Sequence, residues 1–175
     1  MTSGQRILAY LRDHQPAMEA LLIELVELES PSNDKAAVDR LAHFLAARLE
    51  AIGAAVEVLP QAKAGDHVRA RWGQGEGGTL LLCHMDTVWD VGTLARRPVR
   101  VEEGRLYGPG ALDMKGGICN ALWAIRALQD LDLLPPRRIT LLLTSDEETG
   151  SRTSRAVLES EAQRHDRRVP SAPSS

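Results

Sequence analysis

Three short segments carry side chains able to hold a divalent metal and move protons: LLLCHMDTV with His84 and Asp86, LYGPGALDMKGG with Asp113, and TSDEETGS with Glu147 and Glu148. Imidazole nitrogen and carboxylate oxygen are both ligand types for zinc. In an extended chain side chains repeat every second residue, so His84 and Asp86 fall on one side of the backbone. One can grip a metal while the other orients it. Each residue also has a simpler use. Asp113 could cap the helix that follows, Ser145 to Glu148 fits the S-x-x-E capping box, and His84 could be a hydrogen-bonded core histidine. Three separate segments that each end in ligand-type residues favour the metal.

The elements that must position these residues follow from apolar spacing. Leu80 to Cys83 and Ile139 to Thr144 are continuous apolar runs bounded by turn signals, which suits strands buried on both faces. Ala55 to Leu59 and His67 to Trp72 read as further strands, and Gly73 to Gly78 as a hairpin connection. Apolar residues from Ile7 to Leu28 recur at helical spacing, with Pro16 breaking the run or opening its second half. A second helix from Asp34 carries the stripe Val38, Leu41, Leu45, Leu49 and Ile52, with Ser32 or Asn33 as cap and Gly53 as terminator. A third runs from about Lys115 to Asp130. A weak one covers Arg152 to Asp166, and the tail at 167–175 is expected to be disordered. Helices alternating with buried strands predict a three-layer α/β sandwich with a mixed, mostly parallel sheet, its site at the carboxyl ends of the strands. His43 reads as a solvated helix residue and His67 as a lone edge residue.

Composition removes whole classes of function. Lys and Arg number 21 against 24 Asp and Glu, a net charge of -3 that leaves no basic surplus for nucleic acid. No run approaches a membrane span, and MTSGQRILAYLRDHQ lacks the apolar core of a signal peptide. Cys83 and Cys119 sit in apolar contexts outside any CxxC pair, which reads as buried free thiols in a reducing compartment, the cytoplasm.

Taken together, the three segments resemble the successive metal-site motifs of the dizinc amidohydrolase and carboxypeptidase family, which includes acetylornithine deacetylase, succinyl-diaminopimelate desuccinylase, aminoacylase and bacterial glutamate carboxypeptidase. The resemblance implies that His84 binds one zinc, Asp113 bridges a pair of zincs and Glu148 binds the other, with cobalt or manganese as substitutes. It implies that Asp86 holds the His84 ring and that Glu147 is the general base for the attacking water. The substrate would be a small acyl-amino acid or peptide, cleaved at an amide next to a free carboxylate. Full-length members would allow a homodimer.

Such members also carry a lid or dimerisation domain, a later carboxylate ligand and a distal histidine. Glu159, Glu161, His165 and Asp166 do not match those last two. Residues 1–166 are therefore expected to be the amino-terminal part of a zinc-peptidase catalytic domain, without the lid. Two rivals stand beside this reading: a non-catalytic metal-binding or subunit-interaction fragment, and a nucleotide-binding domain. The second is poorly served, since neither glycine-rich loop has phosphate-cradle spacing.

Overall fold

The computed structural model describes residues 1–165 apart from Glu76, together with Arg167–Arg168. Three helices open the chain: α1 (Ser3–Asp13), α2 (Gln15–Glu27) and α3 (Lys35–Ala51). Pro16 lies in the first turn of α2, where its missing N–H costs nothing, so it opens that helix. Asp34 caps α3 by accepting the Ala37 N–H at 2.9 Å, in place of the expected Ser32 or Asn33. Ser32 is engaged elsewhere.

Strands β1 (Ala55–Leu59), β2 (His67–Trp72), β3 (Thr79–His84), β6 (Ile139–Thr144) and β7 (Arg167–Arg168) form one sheet in the order β1-β2-β6-β3-β7. The β1·β2 and β2·β6 pairs are antiparallel, and the β3·β6 and β3·β7 pairs are parallel. Within this sheet, among the described residues, only β2 therefore runs against the other strands. Because β6 inserts between β2 and β3, the Gly73 to Gly78 segment is a crossover, where the sequence suggested a hairpin. Gly78, at a φ of +110°, passes so close to the chain entering β6 that a Cβ would lie 2.0 Å from the Arg138 carbonyl oxygen. Of the tail expected to be disordered, 169–175 lie outside the described residues, while the Arg167–Arg168 backbone pairs with Thr79–Leu80.

Between β3 and β6 come the short helix α4 (Thr93–Arg96), the hairpin of β4 (Arg100–Glu102) and β5 (Arg105–Tyr107), and α5 (Gly116–Asp130). The core lies where α2, α3 and α5 meet one face of the sheet: Leu25, Leu41, Leu45, Ile118 and Leu122 close over Val68, Leu141 and Leu143. Each such side chain contributes roughly 1.5–3 kcal/mol. The other face has a thinner cover, helix α6 (Arg155–Gln163). Glu161 of α6 is fully buried and accepts from Arg69 at 2.9 Å and Arg71 at 2.7 Å, an ionic lock where the opposite face has hydrocarbon. Leu82, on that same face, is 51% exposed. Both cysteines are buried and unpaired, and no described helix is long and apolar enough to cross a membrane.

Candidate metal centre

The site begins with strand register. His84 at the end of β3 lies opposite Thr144 at the end of β6, and the Met85 N–H donates to the Thr144 carbonyl at 2.7 Å. Parallel strands ending together deliver their next residues side by side, so Asp86 meets the Glu147–Glu148 segment. Asp86 is fully buried and accepts the Glu147 N–H at Oδ1 and the Glu148 N–H at Oδ2, both at 3.2 Å. The Ser32 hydroxyl donates to Oδ2 at 2.7 Å. Burial alone would raise the Asp86 carboxyl, but His84, Ser32 and the Glu148 amide hold it below the usual carboxylate range. Ser32 reaches this point because the α2–α3 loop is stapled to the residues after β3. Thr87 N–H donates to the Ser30 carbonyl at 2.9 Å, Ser32 N–H to the Thr87 carbonyl at 3.2 Å, and the Ser30 hydroxyl to the Met85 carbonyl at 2.8 Å.

His84 leaves only 7% of its side chain exposed. Its Nδ1 is 3.0 Å from the Asp86 carbonyl oxygen and 3.5 Å from the Asp86 Oδ1, so the main chain is the nearer brace and the carboxylate serves the acidic loop as well. With Nδ1 tied, Nε2 is turned outward, 2.9 Å from Asp113 Oδ1 and 4.0 Å from Glu147 Oε2. Burial would lower this imidazole, but Asp86 and Asp113 together carry it up to about 9.

Asp113 sits in one wide turn, Ala111–Lys115, entered through Gly110 at a φ of +70°. A Cβ on Gly110 would come 2.6 Å from Thr87 Cγ2, so glycine is required by both conformation and space. Asp113 itself is extended, at φ -120° and ψ 100°, and its side chain is 73% exposed. It does not cap α5, which has no side-chain cap. The turn is anchored from below by Lys115, whose Nζ donates to the Leu28 carbonyl at 2.7 Å, among the unpaired carbonyls at the end of α2. Burial draws this ammonium down to about 7.

Glu147 and Glu148 begin a single tight turn, Glu147–Thr149. One ligand atom from each of His84, Glu147 and Glu148 lies within 4.8 Å of the others. Glu148 is raised by burial and by the nearby negative charge of Asp113, the electrostatic mark of acids crowded together. The capping box read from Ser145 to Glu148 does not form: the Ser145 hydroxyl turns down to the Gly65 carbonyl and lies 2.9 Å from His67 Nδ1. His67 is fully buried, a correction to its reading as an edge residue, and its Nε2 is 3.2 Å from Thr153 Oγ1. Thr153 in turn donates its N–H to Asp146 Oδ2 at 2.6 Å, so a polar network underlies the acidic loop.

The five residues singled out in sequence thus come to one end of the sheet. Glu161 is spent on arginines, and His165 is 3.0 Å from Thr140 near the start of β6, away from the cluster. Glu159 faces Arg155 at 3.8 Å on an exposed surface, and Asp166 lies outside the described residues. Sequence reasoning missed Ser32, Lys115 and His67 as supports. Only Lys115 left a trace, a cation inside an otherwise glycine-rich, apolar stretch. One imidazole and neighbouring carboxylates make a donor set that suits zinc, cobalt or manganese.

Comparison with known proteins gives a consistent picture. The model of Peptidase family M20/M25/M40 matches residues 80–171. The chain is 37% identical to carboxypeptidase G2 of Pseudomonas sp. (strain RS-16) over 153 residues, covering 86% of this chain and 37% of that protein. It is 32% identical to acetylornithine deacetylase of Proteus mirabilis (strain HI4320) over 169 residues, covering 91% of this chain and 43% of the relative. The fold is similar to that of human carnosine dipeptidase 1, with a TM-score of 0.79 at 24% identity, over 91% of this chain and 38% of that one. It is also similar to the M20 family metallo-carboxypeptidase Sso-CP2 of Sulfolobus solfataricus, with a TM-score of 0.70 at 25% identity over 83% of this chain and 34% of that one. The chain therefore spans 37–43% of the length of these two curated relatives.

Proposed function

The chain belongs to peptidase family M20/M25/M40, and on that premise we propose that it carries the metal centre of a zinc-dependent hydrolase cleaving an amide bond next to a free carboxylate. The convergence of ligand atoms from His84, Glu147 and Glu148, with Asp113 against His84 Nε2, carries this reading. In it His84, Asp113 and Glu148 would hold the zinc, His84 through the outward-facing Nε2. Bound there, divalent cations would polarise the scissile carbonyl and make water a nucleophile at neutral pH.

The chain's own residues supply the rest. Asp86 and its carbonyl fix the His84 ring and the two glutamate amides, so the ligands need little reorganisation. Glu147, the general base that the family resemblance implies, receives a proton from the attacking water and returns it to the leaving amine. Its open position on the loop suits proton exchange with a substrate. The relatives named carboxypeptidase G2, acetylornithine deacetylase and carnosine dipeptidase support a small acyl-amino acid or peptide as substrate. The two unpaired buried thiols support a reducing, cytoplasmic setting.

Zinc titration by calorimetry, with metal content measured on the dialysed protein, tests the centre. Wild-type chain is expected to retain zinc and Glu148→Ala to lose at least half of it. Zinc content unchanged by Glu148→Ala would refute the site as drawn. Hydrolysis of N-acyl glutamates by the zinc-loaded chain tests the activity.

A further inference from the structure

We propose that the cavity between the β4–β5 hairpin and Trp89 binds an organic carboxylate. In the hydrolase reading above, on which only this last role rests, it receives a carboxylate carried on the acyl side of the substrate. The cavity measures about 540 Å³ and is lined by Trp89, Arg97, Arg100, Arg105, Tyr107 and Leu112 among others. That volume is in the range of small-molecule sites.

The cavity gathers three arginines, Arg97, Arg100 and Arg105, in its walls. Arg97 and Arg105 make no ion pair among the described residues, although acidic residues outnumber basic ones 24 to 21. Arg97 instead lies over the Trp89 ring at 4.8 Å, and Arg100 over Tyr107 at 4.6 Å. Stacking on a ring holds a guanidinium plane in place while its in-plane N–H donors stay free. Arg100 gives one of these to Glu102 at 3.1 Å. The remainder are preorganised for a planar, two-oxygen acceptor, which is a carboxylate.

Two features favour an organic anion over an inorganic one. Trp89, Tyr107 and Leu112 give the cavity apolar walls, and Leu112 is 94% exposed at its rim. Leu112 precedes Asp113 in the wide turn Ala111–Lys115, so the rim of the cavity and the metal centre share that turn. A ligand whose carboxylate sits among the arginines could therefore extend its apolar body toward the ligand cluster.

Benzoate is the probe, titrated into chelator-treated protein so that no metal competes for the carboxylate, with tryptophan fluorescence as readout. A saturable change is expected that disappears in Trp89→Phe, is not reproduced by benzamide, and needs at least about tenfold more benzoate in the Arg97→Ala/Arg105→Ala variant. Both arginines are exposed, and circular dichroism checks that the variant is folded. Absence of saturable binding, equal binding of benzamide, an unchanged double variant, or displacement by sulfate as effective as by benzoate would each overturn the proposal. Zinc uptake by the same proteins is expected to be unaffected by the double substitution. Zinc uptake without benzoate binding would defeat this site alone, and benzoate binding without zinc uptake would defeat the hydrolase reading and leave the carboxylate site standing.

Discussion

His84 and Asp86, delivered by the end of β3, are almost wholly buried, whereas Asp113 and Glu147 keep 73% and 55% of their side chains in solvent. The two halves of one cluster are thus built by different rules. The buried half is held by the protein's own hydrogen bonds, and changing it disturbs the fold. The open half is held at its backbone while its carboxylates reach into water, and changing it disturbs only what those carboxylates bind. Structural and functional cost should therefore separate along this boundary.

The sharpest way to break the comparison is Asp86→Ala. It leaves the Ser32 hydroxyl and two glutamate amides without their common acceptor and takes a buried carboxylate from beside the His84 ring, which keeps only the main-chain carbonyl, and breaking a buried pair of this kind costs about 3–5 kcal/mol. Chemical denaturation should show that loss together with loss of zinc binding; a variant as stable as wild type would show that the buried half is not structural. His67→Leu asks how far down the rigid half extends. It strips the Ser145 and Thr153 hydroxyls of a buried partner, at an expected cost of about 1–3 kcal/mol, and should weaken zinc binding without touching any ligand. If stability falls while zinc affinity holds, the network below the loop does not position it. Asp113→Asn is the smallest perturbation of the fold, under about 1 kcal/mol, because the exposed side chain loses only the charge it sets against His84 Nε2. Its effect should fall on zinc stoichiometry, and a large change in melting would erase the distinction between the halves.

The same division explains what could be read from the sequence. His84 and Asp86 were visible because alternation along a strand is a local rule, and the glutamate pair because it ends a buried apolar run. The helices α3 and α5 were visible for the same reason, their stripes recurring along short stretches. Pairings between distant segments were not visible. The insertion of β6 between β2 and β3 depends on non-local register, so the Gly73 to Gly78 connection was misread as a hairpin. His67 reads as a lone edge residue because its partners, Ser145 just after β6 and Thr153, lie some eighty residues further on. Ser32 looked like a helix cap because nothing near it announces Asp86, fifty-four positions away. The freedom of Asp113 from capping follows from a wide turn whose geometry spacing alone does not specify.

The staple between Ser30–Ser32 and Met85–Thr87 bears on where this protein can be divided. The stretch matched by the family model starts at residue 80, yet an excised piece starting there would arrive without the hydroxyl that completes the Asp86 shell. It would also lack Glu29, which receives the Gly92 and Leu94 amides, and Leu28, whose carbonyl anchors Lys115. Any minimal version meant to keep the ligand cluster in place must include the end of α2. For grafting or dissection, the working unit is a discontinuous one, stitched from both sides of the first sheet strands.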